Sequence, residues 1–93
     1  MEMDDILSVS DDAVAREVGG ETVIMHLGSG TYFSLNEVGG RIWQLLEAGD
    51  RPVAELCAVI VKEFDAPREV IEVDVLALAT DLMDKDLVTR RAA

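Results

Sequence analysis

Few side chains in this sequence could do chemistry. It holds one histidine, His26, and one cysteine, Cys57, beside a surplus of carboxylates, 19 Asp+Glu against 8 Lys+Arg. A thiol and an imidazole can form a nucleophile and its base, paired carboxylates can divide acid and base roles, and His or Cys at short intervals can hold a metal ion. The chain lacks a second His or Cys at metal spacing, a P-loop and a GxGxxG run. His26 reads as an exposed or satisfied strand histidine and Cys57 as a small core residue of a helical stripe. Asp4-Asp5, Asp11-Asp12 and the later acids fall where solvated faces are expected. These residues point away from an enzyme and imply no cofactor and no metal.

Size and charge narrow the classes further. At 93 residues and 49% hydrophobic, the chain suits one compact domain with one core. Its apolar runs are far shorter than the roughly 18 residues a membrane span needs, so a membrane partner is not expected. The acidic start MEMDDILSVSDDAVARE lacks the basic and apolar regions of a signal peptide, and a lone cysteine suits a reducing compartment, so a cytoplasmic protein is expected. A net charge of −11 would repel a phosphate backbone. The better partner is neutral or basic.

The elements that must position any site follow in a clear order. Residues 1–12 are expected to be a flexible acidic lead-in, residues 13–88 the folded domain, and residues 89–93 a frayed end. Ala13–Val18 (AVAREV) reads as a first strand, closed by Gly19-Gly20, a pair suited to a tight hairpin turn. Glu21–Leu27 reads as a second strand and Thr31–Leu35 (TYFSL) as a third, with Gly28-Ser29-Gly30 as the loop between. That three-residue loop pairs Leu27 with Thr31, Met25 with Phe33 and Val23 with Leu35, and puts these apolar side chains on the core face. Thr22, Ile24, His26, Tyr32 and Ser34 then take the other face.

Three helices follow. Asn36 is a good N-cap for a helix ending at Gly49, with Trp43 as a central core residue. Gly39-Gly40 in its first turns implies close approach of another backbone. The second helix spans Val53–Phe64, and the third runs from Pro67 to about Asp86 with Ile71, Val75, Leu78 and Leu82 as its stripe. The fold class is α+β: a three-stranded antiparallel sheet followed by three helices, winged-helix-like in its last two helices and hairpins. A DNA-binding winged helix would need a basic third helix, and this one carries Glu69, Glu72, Asp74, Asp81, Asp84 and Asp86 against Arg68 and Lys85. Nucleic acid is not an expected ligand.

What remains is the edge of the third strand. Thr31–Leu35 contains no Lys, Pro or other device that blunts a free edge. Either this strand is covered by the third helix or the N-terminal segment, or its edge takes another chain, as a peptide or as an edge-paired second copy.

The run TYFSLNEVGGRIWQLL at Thr31–Leu46 joins strand, Asn cap, Gly and Trp in one spacing, and AELCAVIVKEFDAPREVIEVDVLALATDLMDKDLV completes the domain. Together these resemble the PqqD family, the leader-peptide recognition domains of ribosomally made, post-translationally modified peptide pathways, over about residues 13–88. The resemblance implies a small non-catalytic winged-helix-like domain. It would bind a precursor's leader as an antiparallel strand added to the third strand, beside the third helix, and deliver the peptide to a modifying enzyme. Carried over by position, it implies Thr31, Tyr32, Phe33, Ser34 and Leu35 as the pairing strand. On the third helix it implies Val70, Asp74, Ala77, Leu78 and Asp81 as the wall, two of them carboxylates for Lys or Arg of the leader. The implied partners are the precursor leader and either a leader peptidase, as in split lasso-peptide systems, or a radical-SAM enzyme; the protein itself would be a monomer or an edge-paired dimer. An adaptor for a folded enzyme partner is the alternative.

Overall fold

The computed structural model describes residues 1–92. The elements are β1 (Ile6–Val9), β2 (Ala13–Val18), β3 (Glu21–His26), β4 (Thr31–Leu35), α1 (Glu37–Ala48), β5 (Arg51–Pro52), α2 (Val53–Phe64), α3 (Arg68–Asp84) and β6 (Val88–Arg91). The expected meander and three helices are β2–β3–β4 and α1–α3, so the α+β class stands. No helix among the described residues is long and apolar enough to cross a membrane.

The first hairpin follows from its turn. Gly19 and Gly20 both take left-handed backbone, φ +59° and +86°, which closes a two-residue loop with Val18 opposite Glu21. The second hairpin differs from the sequence reading. Its register pairs His26 with Thr31, Ile24 with Phe33 and Thr22 with Leu35, so the loop comprises Leu27 as well as Gly28, Ser29 and Gly30. Gly30, at φ +69°, donates its N–H to the His26 carbonyl at 2.8 Å, and Leu27 is pulled into the turn, half exposed. One residue of slip turns over every side chain of a strand. Ile24, fully buried, therefore takes the core face with Phe33 and Leu35, while Val23 and Met25 turn outward beside Tyr32 and Ser34. The expected core placement of Val23, Met25 and Leu27 is corrected accordingly.

A second sheet, in the order β5–β1–β6, was not legible in the sequence. β1 pairs with β5 through Ile6 opposite Pro52, and with β6 from Ile6 opposite Arg91 to Val9 opposite Val88. The expected flexible lead-in of residues 1–12 thus contains a paired strand, and Leu7 is 1% exposed. The physical reason lies at the start of α2. That helix has no side-chain cap, and its first N–H groups, which lack partners within the helix, are taken by carbonyls of the N-terminal segment: Val53 donates to Asp5 at 3.0 Å and Ala54 to Met3 at 2.8 Å. The expected frayed end of residues 89–93 is likewise paired as far as Arg91, and residue 93 lies outside the described residues.

α1 joins the two layers. Asn36 accepts the Gly39 N–H on its side-chain oxygen at 2.9 Å, so β4 stops and α1 starts within one residue. Gly39 and Gly40 are buried, and a Cβ built on Gly40 would stand 2.6 Å from Thr22 Oγ1 of β3, one on Gly39 3.2 Å from Leu35 Cβ. The glycines let the helix lie close on the sheet, but what they approach is the side chains of Thr22 and Leu35 and not the other backbone expected from the sequence. Trp43, 1% exposed, fills the centre of the core with Ile24, Leu46, Leu56, Ile60, Val75 and Leu82. Its indole Nε1 has no hydrogen-bond partner among the described residues.

Candidate functional site

His26 and Cys57 are each accounted for by packing or local bonding. The His26 Nδ1 accepts the Ser29 N–H at 3.2 Å, and Ser29 Oγ lies 3.3 Å from the same nitrogen, which ties the imidazole to the β3–β4 loop. Cys57 is buried on α2, and burial pushes its thiol pKa up, away from thiolate reactivity. No group of three or more potential metal ligands comes together among the described residues.

Among the described residues no second strand pairs with the outer edge of β4. In the order β2–β3–β4 it has one strand neighbour. The direction of its backbone groups follows from the first hairpin: across a two-residue turn, Val18 and Glu21 form a hydrogen-bonded pair. Odd-numbered residues of β3 therefore face β2, consistent with the 2.8 Å bond from Leu27 N–H to the Asp12 carbonyl, and the even-numbered Thr22, Ile24 and His26 face β4. Their partners Leu35, Phe33 and Thr31 turn inward to β3. Tyr32 and Ser34 are left to present N–H and C=O groups at the free edge.

The end of α3 reaches β4 at one side chain. There the Lys85 Nζ stands 5.5 Å from the centroid of the Phe33 ring, a cation–π contact. Where β4 passes into α1, the space between α1 and α3 opens into a cavity of ≈400 Å3 lined by Asn36, Val38, Ile42, Ile71, Asp74, Val75, Ala77 and Leu78. Its wall is mostly apolar with one carboxylate, so it suits an apolar side chain next to a polar or basic group. A slightly larger cleft of ≈440 Å3, bounded by Glu17, Thr22, Glu37 and Gln44, is polar. Arg41 and Glu63 also line it, joined by two bonds of 2.8 and 2.9 Å that hold the Glu63 carboxyl below its ordinary pKa.

The residues singled out in the sequence are distributed as follows. Asp74, Ala77 and Leu78 line the cavity together. Val70 lies outside that lining and is half exposed, and Asp81 is exposed and ion-paired with Lys85 one turn on. Along β4, Phe33 faces the helices half-buried, Leu35 is buried as part of the core, Thr31 is exposed and bonds its N–H to Ser29 Oγ at 3.3 Å, and Tyr32 and Ser34 point their side chains to the outer face. The sequence reading omitted Val38 and Ile42, which form the α1 wall of the cavity. Their i, i+4 spacing was the available signal, but it also reads as a core stripe. Lys85 was missed too, since its contact to Phe33 depends on how α3 crosses the sheet.

This geometry can be set beside known proteins. The chain is similar to the solved structure described as TbiB1 in complex with the TbiA(beta) leader peptide, at 38% identity and a TM-score of 0.82, over 92% of this chain and 99% of that one. It shares its fold with a lasso peptide synthetase B1 complexed with its leader peptide, at 23% identity and a TM-score of 0.78, over 89% and 96% of the two chains. It is also similar to the PqqA binding protein of Gluconobacter oxydans (strain 621H), 47% identical over 47 residues; the match takes in about half of each chain, 50% of this one and 48% of that one. The sequence profile of the family described as Coenzyme PQQ synthesis protein D (PqqD) matches residues 21–88, most of the chain and the whole of the β3–β4–α1–α3 unit. With β4, its Asn36 junction and the flanking helices inside the matched region, the chain belongs to the PqqD family.

Proposed function

We propose that the chain is a non-catalytic binding module that captures the leader segment of a ribosomally synthesised precursor peptide as an antiparallel strand on β4 and presents it to a modifying enzyme. The observation that carries this reading is the open edge of β4, with outward backbone groups at Tyr32 and Ser34, next to the apolar cavity between α1 and α3. A peptide laid there gains main-chain hydrogen bonds for affinity and a side-chain pocket for selectivity. The complex of TbiB1, the 38%-identical relative, with a leader peptide supports the same use of the fold here. Val70, Asp74, Ala77, Leu78 and Asp81 form the α3 side of the groove in this reading, and Thr31–Leu35 its strand. The modifying enzyme is a leader peptidase or a radical-SAM enzyme.

Isothermal titration with the synthetic leader of the precursor encoded beside the chain tests the proposal, with the core portion of the precursor as control. Saturable binding of the leader alone at micromolar Kd or tighter, about −8 kcal/mol, is expected. A folded monomeric protein that binds only the modifying enzyme and never the isolated leader would instead be an adaptor.

A further inference from the structure

If a strand is added to β4, the register fixes what stands opposite each of its residues. On the sheet face turned away from the helices, Val14 of β2 lies opposite Met25 of β3, and Met25 opposite Tyr32 of β4. The row stops at the open edge. Tyr32 is 65% exposed and Val14 44%, and with Met25, Val18, Val23 and one charged residue, Arg16, they line a depression of ≈300 Å3. The Tyr32 ring thus has Met25 on one flank and nothing on the other, while its own N–H and C=O point toward the missing strand.

We propose that this outer face reads the captured peptide as well, through an apolar or aromatic side chain placed opposite Tyr32 that completes the row Val14–Met25–Tyr32. The inference rests on the peptide-capture reading. Tyr32 forms a hydrogen-bonded pair with its partner in an antiparallel strand, and such partners stand with Cβ atoms about 5 Å apart, close enough for ring and side chain to pack. The peptide residues on either side of that partner turn toward Phe33 and the groove, so consecutive peptide residues meet different walls. The side chain two residues earlier in the peptide stands opposite Ser34, which offers little area, and selectivity on this face is concentrated at Tyr32. A second copy of the chain is a poorer occupant. In a symmetric edge-to-edge pair centred on Phe33, Ser34 of the second copy would face Tyr32 and leave the ring uncovered, and each chain carries a net charge of −11.

The test is a double-mutant cycle by titration calorimetry, with the synthetic leader encoded beside the chain and its single alanine replacements, against wild type, Tyr32→Thr and Tyr32→Phe. Threonine keeps strand propensity and removes the ring; phenylalanine keeps the ring. Tyr32→Thr is expected to weaken binding roughly three- to tenfold, the range of an aromatic cross-strand pair, with Tm unchanged, while Tyr32→Phe retains wild-type affinity. One apolar leader residue should lose affinity on alanine replacement against wild type and lose nothing further against Tyr32→Thr. Wild-type affinity of the Thr variant, or a loss coupled to no single apolar leader residue, overturns the inference and leaves peptide capture standing. Failure of folded wild-type protein to bind the leader overturns peptide capture and the outer-face contact together.

Discussion

The two three-stranded sheets of this molecule treat their edges differently. In β5–β1–β6 one edge strand is two residues long, and the other ends in two arginines, Arg90 bonded to Asp5 at 3.2 Å and Arg91 to Asp50 at 2.9 Å. Short strands and charged side chains are the usual means of discouraging further pairing. In β2–β3–β4 one edge strand, β2, carries Arg16 and Glu17, while the other, TYFSL, carries no charge, no proline and no bulge. The same chain that guards one edge leaves the other open, so the open edge is a local property of β4 and not a general laxity of the fold. The first sheet places Leu7 and Val88 in the core, and the second, joined to α1 through Asn36 and the two buried glycines, is where the proposed leader strand would be received.

Changes directed at one sheet should leave the other's role intact. The largest expected effect is on stability: Leu7→Ala removes a fully buried side chain from the guarded sheet and should lower unfolding free energy by about 2–5 kcal/mol. Denaturant titration measures it, and leader affinity of the folded fraction should not change; a selective loss of binding would show that the two sheets are coupled. Ser34→Pro should do the reverse. It deletes an outward N–H at an edge position that tolerates proline, so leader affinity should fall by about tenfold, about 1.4 kcal/mol, with little change in Tm. Unaltered affinity in the folded variant would rule out strand addition at Ser34.

Acid provides a finer probe of the guarded sheet. The Glu2 N–H at 2.9 Å, and then the Arg90 guanidinium, hold the Asp5 carboxyl below its ordinary pKa of 3.8. A depressed pKa in the folded state adds stability above the unfolded pKa, and that contribution is lost as pH falls through the folded value. Asp5→Asn should therefore lower stability near neutrality, through loss of the charged carboxylate's bonds to the Glu2 N–H and Arg90, and flatten the further decline below about pH 4. An identical acid limb in the variant would remove Asp5 from the account. The smallest expected effects concern the groove: Asp74→Lys should slow association of a basic leader and flatten its salt dependence. Asp81→Lys should do so less, because Lys85 already neutralises Asp81. Equal effects would mean that overall charge, not the wall of the groove, steers the peptide.

What could be read in the sequence depended on how local its cause was. The Gly19-Gly20 turn, the Asn36 cap and the end of α2 before Pro67 are set by neighbouring residues and were legible. The β3–β4 register was not, because Leu27 suits a strand as well as a turn, and the choice was made by burial of Ile24 under helices far along the chain. β1 and β6 escaped for the same reason on a larger scale: Ile6 pairs with Arg91, and neither strand has a partner nearby in sequence. Of the candidate site, the strand was marked by an unprotected TYFSL and by its family resemblance. The α1 wall was hidden, since Val38 and Ile42 look the same whether they face a core or a cavity.

The alternation of backbone direction along β4 gives its amides two different fates in deuterated solvent. Phe33 and Leu35 are tied to β3 and should exchange only with opening of the sheet, whereas Tyr32 and Ser34 lie between them facing the free edge and should exchange fast. A strand docked at that edge would slow Tyr32 and Ser34 and leave the already slow Phe33 and Leu35 unaltered. Contact through α3 alone would produce no such every-second-residue signature, so four adjacent amides report how the site is engaged as well as whether it is.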